Sequence, residues 1–330
     1  MSRNRLTVVL SQAPGKHPAK RSLEESLAAA LIMEPNLDVS IVPNLYDLDA
    51  QHTGRMFLES IKSDMVVLSW LYPRAAFWLL DRDGIKGHFG ETLLKSADAD
   101  DEEQEDTPTE DKGVGSVGEL PDRHIYTLDL RDGKNPDVFL AEIRRIVTES
   151  DNRAQTKIKP TTTIVQLGLP TFTPEALAAT PNRRWYPVID YSRCTNCMEC
   201  LDFCLFGVYD VDLFDRIKVE NQDQCKKGCP ACSRVCPEQA IMFPEYKSPA
   251  IAGADTGAVG SLKIDLSRLF GGEQKDAVSQ AVEERDRELV ADGRSAVGAA
   301  VGLTKRQENK SEQAKDDLDK LMDDLDALGL

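Results

Sequence analysis

The sequence predicts a doubly wound α/β domain, followed by a small α+β domain and a helical, partly disordered tail. Three observations support this prediction. Short apolar runs alternate with helical patterns over residues 1–168, as they do in parallel sheets covered by helices. All eight cysteines of the 330-residue chain lie between Cys194 and Cys236. Residues 246–330 are largely polar, and apolar residues recur at heptad spacing in a C-terminal amphipathic helix expected over residues 311–329.

The first domain is expected to contain five strands and four helices. Short β-branched runs bounded by turn residues predict the strands at residues 5–10, 37–42, 64–69, 125–130 and 162–167. Helical periodicity predicts the helices at residues 22–35, 54–61, 75–80 and 137–148. The first helix is expected to begin at a Ser22–Glu25 capping box. This arrangement generically resembles Rossmann-like and flavodoxin-like folds, whose ligands bind beyond the carboxyl ends of the strands.

The loop after the first strand, residues 11–20, is a candidate anion site. It places Gly15, Lys16, His17 and Lys20 near a helix N-terminus, where backbone N–H groups and the helix dipole attract negative charge. The loop lacks both the P-loop motif and the glycine motif of dinucleotide-binding folds. A solvated turn is therefore the favoured interpretation.

The loop after the third strand, residues 70–74, is a candidate flavin site. Trp70 and Tyr72 could stack on a flavin ring, as aromatic residues do beyond the strand ends of flavodoxin-like folds. No glycine- and hydroxyl-rich phosphate loop accompanies them. Packing of both rings beneath the helix that carries Phe77 and Trp78 is therefore favoured.

An acidic insertion and a linker interrupt the pattern. The insertion, residues 96–120, includes nine carboxylates between Asp98 and Asp111. Such a segment buries too little apolar surface to order itself, so a disordered, solvated loop is expected. Residues 169–184 are punctuated by proline and threonine, and they are expected to link the first domain to a second one over residues 185–245.

The net charge of −16 limits the classes of partner. It argues against nucleic acid and against anionic membrane surfaces, and it suits docking onto a basic face of another protein. The sequence contains no apolar run long enough to span a bilayer. The apolar run that follows the basic N-terminus is too short for a signal peptide, so a cytoplasmic location is expected.

The cysteines form two runs of similar spacing. The first reads C-x2-C-x2-C-x3-C from Cys194 to Cys204, and the second reads C-x3-C-x2-C-x3-C-P from Cys225 to Pro237. Zinc sites use two C-x2-C pairs separated by a long gap, whereas each run here crowds three thiols together. The spacing therefore favours iron-sulfur clusters over zinc. Disulfides are disfavoured because thiols stay reduced in the expected cytoplasmic compartment.

Residues from about 185 to 245 resemble the bacterial two-cluster ferredoxins. The resemblance implies two 4Fe-4S clusters, each held by three cysteines of one run and the last cysteine of the other run. The implied ligands are Cys194, Cys197, Cys200 and Cys236 for the first cluster, and Cys225, Cys229, Cys232 and Cys204 for the second. The sequence offers no candidate catalytic residue, since no acid-base pair or activated nucleophile is visible.

Two features depart from the pattern of that family. Leu205 stands where a proline usually follows the last cysteine of the run, and Lys226–Gly228 supplies three residues where two are usual. Gly228 is expected to absorb the extra residue because glycine adopts a positive φ at low cost. The second site is thus the less regular of the two.

Short strands and apolar walls are expected around the cysteines. The strands are predicted at residues 185–190, 208–211, 217–220 and 240–243, with the first pairing with the last and the middle two forming a hairpin. Apolar neighbours are expected to keep water from the clusters, namely Leu201, Phe203, Phe206, Val235 and Ile241. Trp185 and Tyr191 are expected to belong to the walls and not to an electron path.

These features predict an electron carrier that passes single electrons between redox partner proteins. Two alternatives stay open. In one, the chain is a redox enzyme or enzyme subunit whose α/β domain binds a flavin or an anionic substrate fed by the clusters. In the other, it is a redox-sensing or assembly protein that acts through the acidic insertion and the C-terminal helix, which would bind a protein partner.

Overall fold

The computed structural model describes residues 5–15, 17–94, 113–116, 118, 120–156, 181–254 and 277–302. The N-terminal region contains the strands β1 (Leu6–Ser11), β2 (Leu37–Val42), β3 (Met65–Ser69), β4 (His88–Gly90) and β5 (His124–Asp129). Four helices accompany them, namely α1 (Pro18–Ile32), α2 (Thr53–Ser60), α3 (Pro73–Arg82) and α4 (Pro136–Thr156). The strands form one parallel sheet in the order β2-β1-β3-β5-β4, which confirms the predicted parallel α/β fold.

The short edge strand β4 was not predicted from the sequence. Its three residues contain no β-branched run, so they carry none of the usual strand signal. A side chain on Gly90 would collide with the ring of Tyr126 on the neighbouring strand, and glycine therefore permits the close pairing. The strand expected at residues 162–167 lies outside the described residues.

Helices cover both faces of the sheet, as predicted. Adjacent residues of a strand point to opposite faces, so Val8 and Val9 belong to different apolar cores. Val8 packs in a core with residues of α1 and α4, such as Leu27 and Phe139. Val9 packs in a core with residues of α2 and α3, including Leu58.

Two helix boundaries differ from the prediction. Helix α1 begins at Pro18, and Ser22 lies inside it, so the predicted capping box is wrong. Proline suits the first helical turn because its φ is already helical and its missing N–H needs no partner. Helix α4 continues past residue 148 to Thr156, where Glu149 forms ion pairs one turn away with Arg145 and Arg153.

The cysteine-rich region, residues 181–254, has little regular structure. Its elements are β6 (Val188–Ile189), α5 (Glu199–Phe203), β7 (Tyr209–Val211), β8 (Ile217–Val219), α6 (Ala231–Val235), β9 (Ile241–Met242) and α7 (Pro249–Ala252). Strand β6 pairs antiparallel with β9, and β7 pairs antiparallel with β8, as the sequence predicts. The one-turn helix α7 was not predicted.

Helix α3 lies between the parallel sheet and the cysteine-rich region. Eight of its ten residues are buried, so it is covered on all sides. One apolar core contains Val67 of the sheet, Trp78 of α3, and Val188 and Met242 of the cysteine-rich region. The two regions therefore share a core through this helix.

Polar contacts also join the two regions. The Arg74 guanidinium of α3 lies 3.2 Å from the Asp190 carboxylate, and both side chains are buried. The Tyr46 hydroxyl accepts a hydrogen bond from the backbone N–H of Tyr186 at 2.7 Å, and the Tyr186 hydroxyl donates to the backbone oxygen of Tyr46 at 2.9 Å. Buried polar groups at this interface are thus paired across it.

Helix α8 (Ala277–Ala291) packs on the cysteine-rich region, in the part of the tail that was predicted to be helix-prone. Its Ala281 and Val282 contact an apolar cluster that includes Phe203 and Val235. The core of the acidic insertion, the predicted linker before residue 181 and the predicted C-terminal helix over 311–329 lie outside the described residues. Among the helices described, none is both long and apolar enough to cross a membrane.

Candidate metal centre

Four thiols line a cavity in the first half of the cysteine-rich region. Cys194, Cys197 and Cys200 come from one loop and the start of α5, and Cys236 follows α6. Apolar residues also line the cavity, among them Ile189, Ile217 and Ile241. The loop and the distant cysteine therefore face a common space.

Tight turns and buried hydrogen bonds shape the first cysteine loop. Asn196 and Met198 adopt left-handed conformations, with φ of 58° and 65°, which fold the loop back on itself. The Asn196 side chain accepts from the backbone N–H of Ile217 at 2.9 Å, so it fixes the loop to strand β8. The Asp190 carboxylate accepts from Ser192 at the start of the loop, and the Asp190 carbonyl accepts from the N–H of Cys194.

Four thiols line a second cavity in the other half. Cys225, Cys229 and Cys232 come from one loop and the start of α6, and Cys204 follows α5. This cavity is also lined by apolar residues and by two cations, namely Phe203, Phe206, Val208, Lys226 and Arg285. Gly228 has a φ of 87° with open space where a side chain would stand, so it adopts the conformation expected for the extra residue.

The two groups of four thiols offer the donor set of a four-thiolate metal group, but in the described residues no three His, Cys, Asp or Glu side chains are arranged to hold a single metal ion. Each contains three cysteines close in sequence and one from the other half, the two sets that the family resemblance implies. Cys200 and Cys232 are each 8% exposed, and apolar side chains surround both. Ligation of metal by these cysteines stays a prediction, and the donor chemistry suits iron-sulfur clusters or zinc.

Burial raises the pKa of several of the thiols. Desolvation raises the pKa of Cys194 and of Cys229 to about 11 each, and it raises the pKa of Cys200 and Cys232 well above the ordinary thiol value. These thiols are therefore protonated at neutral pH in the metal-free protein. Since thiolates are the metal ligands, loading of either cavity releases protons.

A tyrosine and an arginine at the second cavity escaped the sequence analysis. The Tyr209 hydroxyl lies 3.0 Å from the sulfur of Cys232, and the residue is buried. The Arg285 guanidinium stacks 4.5 Å from the ring of Phe203 and donates to backbone oxygens of Gly298 and Val301. The sequence could have indicated the tyrosine. Tyr209 is the fifth residue after the last cysteine of the first run, and the matching residue of the second run is Ile241, which has no hydroxyl.

The predicted wall residues Trp185 and Tyr191 lie beside the cysteine-containing apolar cluster and line neither cavity. The Trp185 indole donates to the backbone oxygen of Cys229 at 3.2 Å and stacks on Phe243. The Tyr191 hydroxyl donates to the backbone oxygen of Ile217 at 3.0 Å. Both side chains pack against the apolar cluster that contains the cysteines.

The two candidate ligand loops of the α/β region meet at the carboxyl edge of the sheet. The Lys20 ammonium lies 4.3 Å from the centre of the Trp70 ring. The buried Glu24 carboxylate of α1 accepts from the backbone N–H of Ala13 at 2.6 Å and from the Trp70 indole at 2.8 Å, and it pairs with Arg21. This internal carboxylate takes up donors that a bound anion would need, which argues against an anion site in the first loop.

The two aromatic residues of the second loop, Trp70 and Tyr72, pack on opposite faces of the sheet. Tyr72 is buried in the core that contains Phe77 and Trp78, as predicted. Trp70 instead packs against the core on the opposite face of the sheet, so the prediction that it lies beneath α3 is wrong. Its indole bond to Glu24 holds it there. Lys16 of the first loop lies outside the described residues.

Two curated proteins of Methanocaldococcus jannaschii are similar to part of this chain. The uncharacterized ferredoxin MJ0251 is 47% identical over 66 residues, which are 20% of this chain and 44% of that protein. The pyruvate synthase subunit PorD is 36% identical over 59 residues, which are 18% of this chain and 66% of that protein. The chain thus spans less than half the length of the first relative.

Other comparisons found no match. No protein-family model matches the chain. No solved structure matches it either. The similarity to a ferredoxin and to PorD, together with the two groups of four thiols, therefore supports one statement about this part of the molecule: the chain contains a ferredoxin-like domain.

Proposed function

We propose that this chain is an iron-sulfur electron-transfer protein with two 4Fe-4S clusters. One observation supports the proposal most strongly: eight thiols divide into two cavities of four, and each cavity takes its fourth thiol from the other half of the region. Cys194, Cys197, Cys200 and Cys236 would hold the first cluster, and Cys225, Cys229, Cys232 and Cys204 the second. The relatives' names, one a ferredoxin, point in the same direction.

The protein supplies positions and a dry environment for this chemistry. The clusters, when bound, supply one-electron transfer. Phe203, Val235 and Ile241 are buried beside the cysteines and keep water away, which is one of the factors that set a reduction potential. The loops of each half fix three sulfurs, and the short helices α5 and α6 each deliver a fourth sulfur to the opposite half.

The proposed partners are redox proteins with a basic docking face. The net charge of −16 favours association with a basic surface and increases its rate. The relative PorD is named as a subunit of pyruvate synthase. We propose that this chain exchanges electrons with a partner enzyme, which is its donor or its acceptor.

Metal and sulfide analysis of anaerobically purified protein tests the proposal. We expect about eight irons and eight acid-labile sulfides per chain, no flavin, and the broadened EPR signal of two interacting clusters after reduction with dithionite. About four irons would mean that the extra residue between Cys225 and Cys229 has abolished the second site. Zinc without sulfide would contradict the proposal, and stoichiometric flavin would favour the enzyme alternative.

Single cysteine-to-serine variants test the exchange of the fourth ligands. We expect Cys204→Ser to leave the same residual EPR signal as Cys229→Ser, because both remove a ligand of the second site. Cys236→Ser should match Cys197→Ser for the same reason at the first site. If Cys204→Ser instead matches Cys197→Ser, each run holds its own cluster and the proposed ligand sets are wrong.

A further inference from the structure

The two thiol-lined cavities differ at one matched position. Tyr209 is the fifth residue after Cys204, and Ile241 is the fifth residue after Cys236. Each begins a short strand, and each lines the cavity that takes the last cysteine of its own run, so Tyr209 lies at the second cavity and Ile241 at the first. The two side chains are therefore structural counterparts, one with a hydroxyl and one without.

The hydroxyl of Tyr209 reaches a predicted ligand. It lies 3.0 Å from the sulfur of Cys232, and the tyrosine is 5% exposed, so no water competes for the bond. A cysteine sulfur bound to metal has no proton to give, which makes the tyrosine the donor. Ile241 can make no such bond to Cys200, the counterpart of Cys232.

The charges around the cavities differ in the same direction. Lys226 and the buried Arg285 line the second cavity, whereas Glu199 and Glu238 line the first. Asp292 pairs with Lys226 and Asp286 with Arg285, so these cations are partly offset. The tyrosine hydroxyl, which is uncharged and directly bonded to a sulfur, is the clearest difference between the sites.

We propose that the Tyr209 hydroxyl gives the second site a higher reduction potential than the first. This inference rests on the proposed function. Reduction adds one electron and no proton, and no covalent bond forms or breaks, so the site gains one negative charge. A hydrogen bond donated to a ligand sulfur stabilises that added charge and favours the reduced state. Electrons therefore collect at the second site, and the first site is the stronger reductant.

Removal of the hydroxyl alone tests the role of Tyr209. The Tyr209→Phe variant keeps the ring, and we expect the oxidised-to-reduced ratio of one site to rise about tenfold at a fixed ambient potential. For a one-electron couple this is a shift of about 59 mV to lower potential. Potentiometric titration of the full chain, followed by EPR, measures both couples. The couple whose reduction potential shifts should be the one with the higher potential in the unmodified protein.

Tyr191→Phe is the matched control. It removes a hydroxyl that donates to the backbone oxygen of Ile217, a residue that lines the first cavity, and to no sulfur, so both couples should stay in place. The inference is wrong if Tyr209→Phe moves neither couple, moves both equally, moves the lower one, or loses iron. A wild-type protein without iron and sulfide would overturn the proposed function as well. Full iron content with unmoved couples would overturn this inference alone.

Discussion

The parallel-sheet region, residues 5–156, and the cysteine-rich region differ in what holds their backbones. The first has a five-stranded ladder and an apolar core on each face of the sheet. In the second, the strands are two or three residues long, and the helices have at most five residues. Apolar side chains pack around its cysteines, and two thiol-lined cavities lie among them.

The free energy of folding comes from different sources in the two regions. Burial of apolar surface stabilises the sheet region in the way usual for a globular domain. Strands of two residues contribute few backbone hydrogen bonds, and thiols line two sites inside this region. We therefore expect metal binding to supply a large share of the stability of the cysteine-rich region.

Removal of the metal should have the largest effect and should separate the two regions. Chelation of iron under oxidising conditions is expected to cost the cysteine-rich region on the order of 10 kcal/mol of binding free energy, by analogy with other structural metal sites. Hydrogen exchange measures the outcome region by region. Amides of β7, β8 and the cysteine loops should lose protection, while those of β1, β3 and β5 keep it.

Two results would contradict this comparison. Equal loss of protection in both regions would show that the sheet region depends on metal as strongly as the cysteine-rich region. Full protection throughout would show that the short strands and the contact with α3 hold the cysteine loops without metal. The strands β6 and β9 provide an internal reference, because they share a core with α3 and should lose less protection than β7 and β8.

The buried pair of Arg74 and Asp190 tests the contact between the regions. Arg74→Met removes one cation from the buried Asp190 carboxylate, which keeps an ion pair with Arg193 at 3.6 Å. The loss is therefore expected to lie below the range of about 3–5 kcal/mol typical of a fully broken buried pair, and urea unfolding of the iron-loaded protein measures it. Adding Asp190→Asn to Arg74→Met should recover part of it, because the second change removes a buried charge that has lost a partner.

An exposed pair serves as the control for this variant. Arg5 and Asp38 lie 2.8 Å apart, and their side chains are 63% and 54% exposed. Arg5→Met is expected to leave the unfolding midpoint unchanged, since exposed pairs are solvated and screened. If Arg74→Met also leaves the unfolding midpoint unchanged, the apolar core around α3 alone joins the two regions, and the buried pair adds no measurable stability.

The features that sequence predicted well are those with a local signal. The buried runs of β1 and β3 are short and β-branched, and their assignment as parallel strands is confirmed. The cysteine spacing predicted two runs of ligands, and each run lies on one loop and one short helix, α5 or α6. Each signal is contained within a few consecutive residues, so no knowledge of the tertiary structure was needed.

The features that sequence missed depend on residues far apart in the chain. Arg74 and Arg285 are buried, although an arginine in a sequence usually indicates an exposed position. Their partners lie 116 residues away in the case of Arg74, and in a turn after α8 in the case of Arg285. Strand β4 exists because Gly90 permits close pairing with β5, a condition that a three-residue window cannot reveal.

The smallest effect is expected within the sheet region, at Asp64. This carboxylate precedes β3 and accepts hydrogen bonds from the backbone N–H of His124, the Ser150 hydroxyl and the Arg153 guanidinium. Burial raises the pKa of Asp64, but these bonds and the arginine charge outweigh it, so the pKa lies below its ordinary value of 3.8. Asp64→Asn is expected to cost about 1 kcal/mol at neutral pH, as for a partly exposed charged hydrogen bond.

The pH dependence of this cost follows from the direction of the shift. A carboxyl group with a lowered pKa stabilises the folded state above its unfolded pKa, and it loses that contribution as pH falls through the folded pKa. The difference in urea midpoint between wild type and Asp64→Asn should therefore be full at neutral pH and shrink only below 3.8. A difference that vanishes at a pH well above 3.8 would contradict the lowered pKa of Asp64.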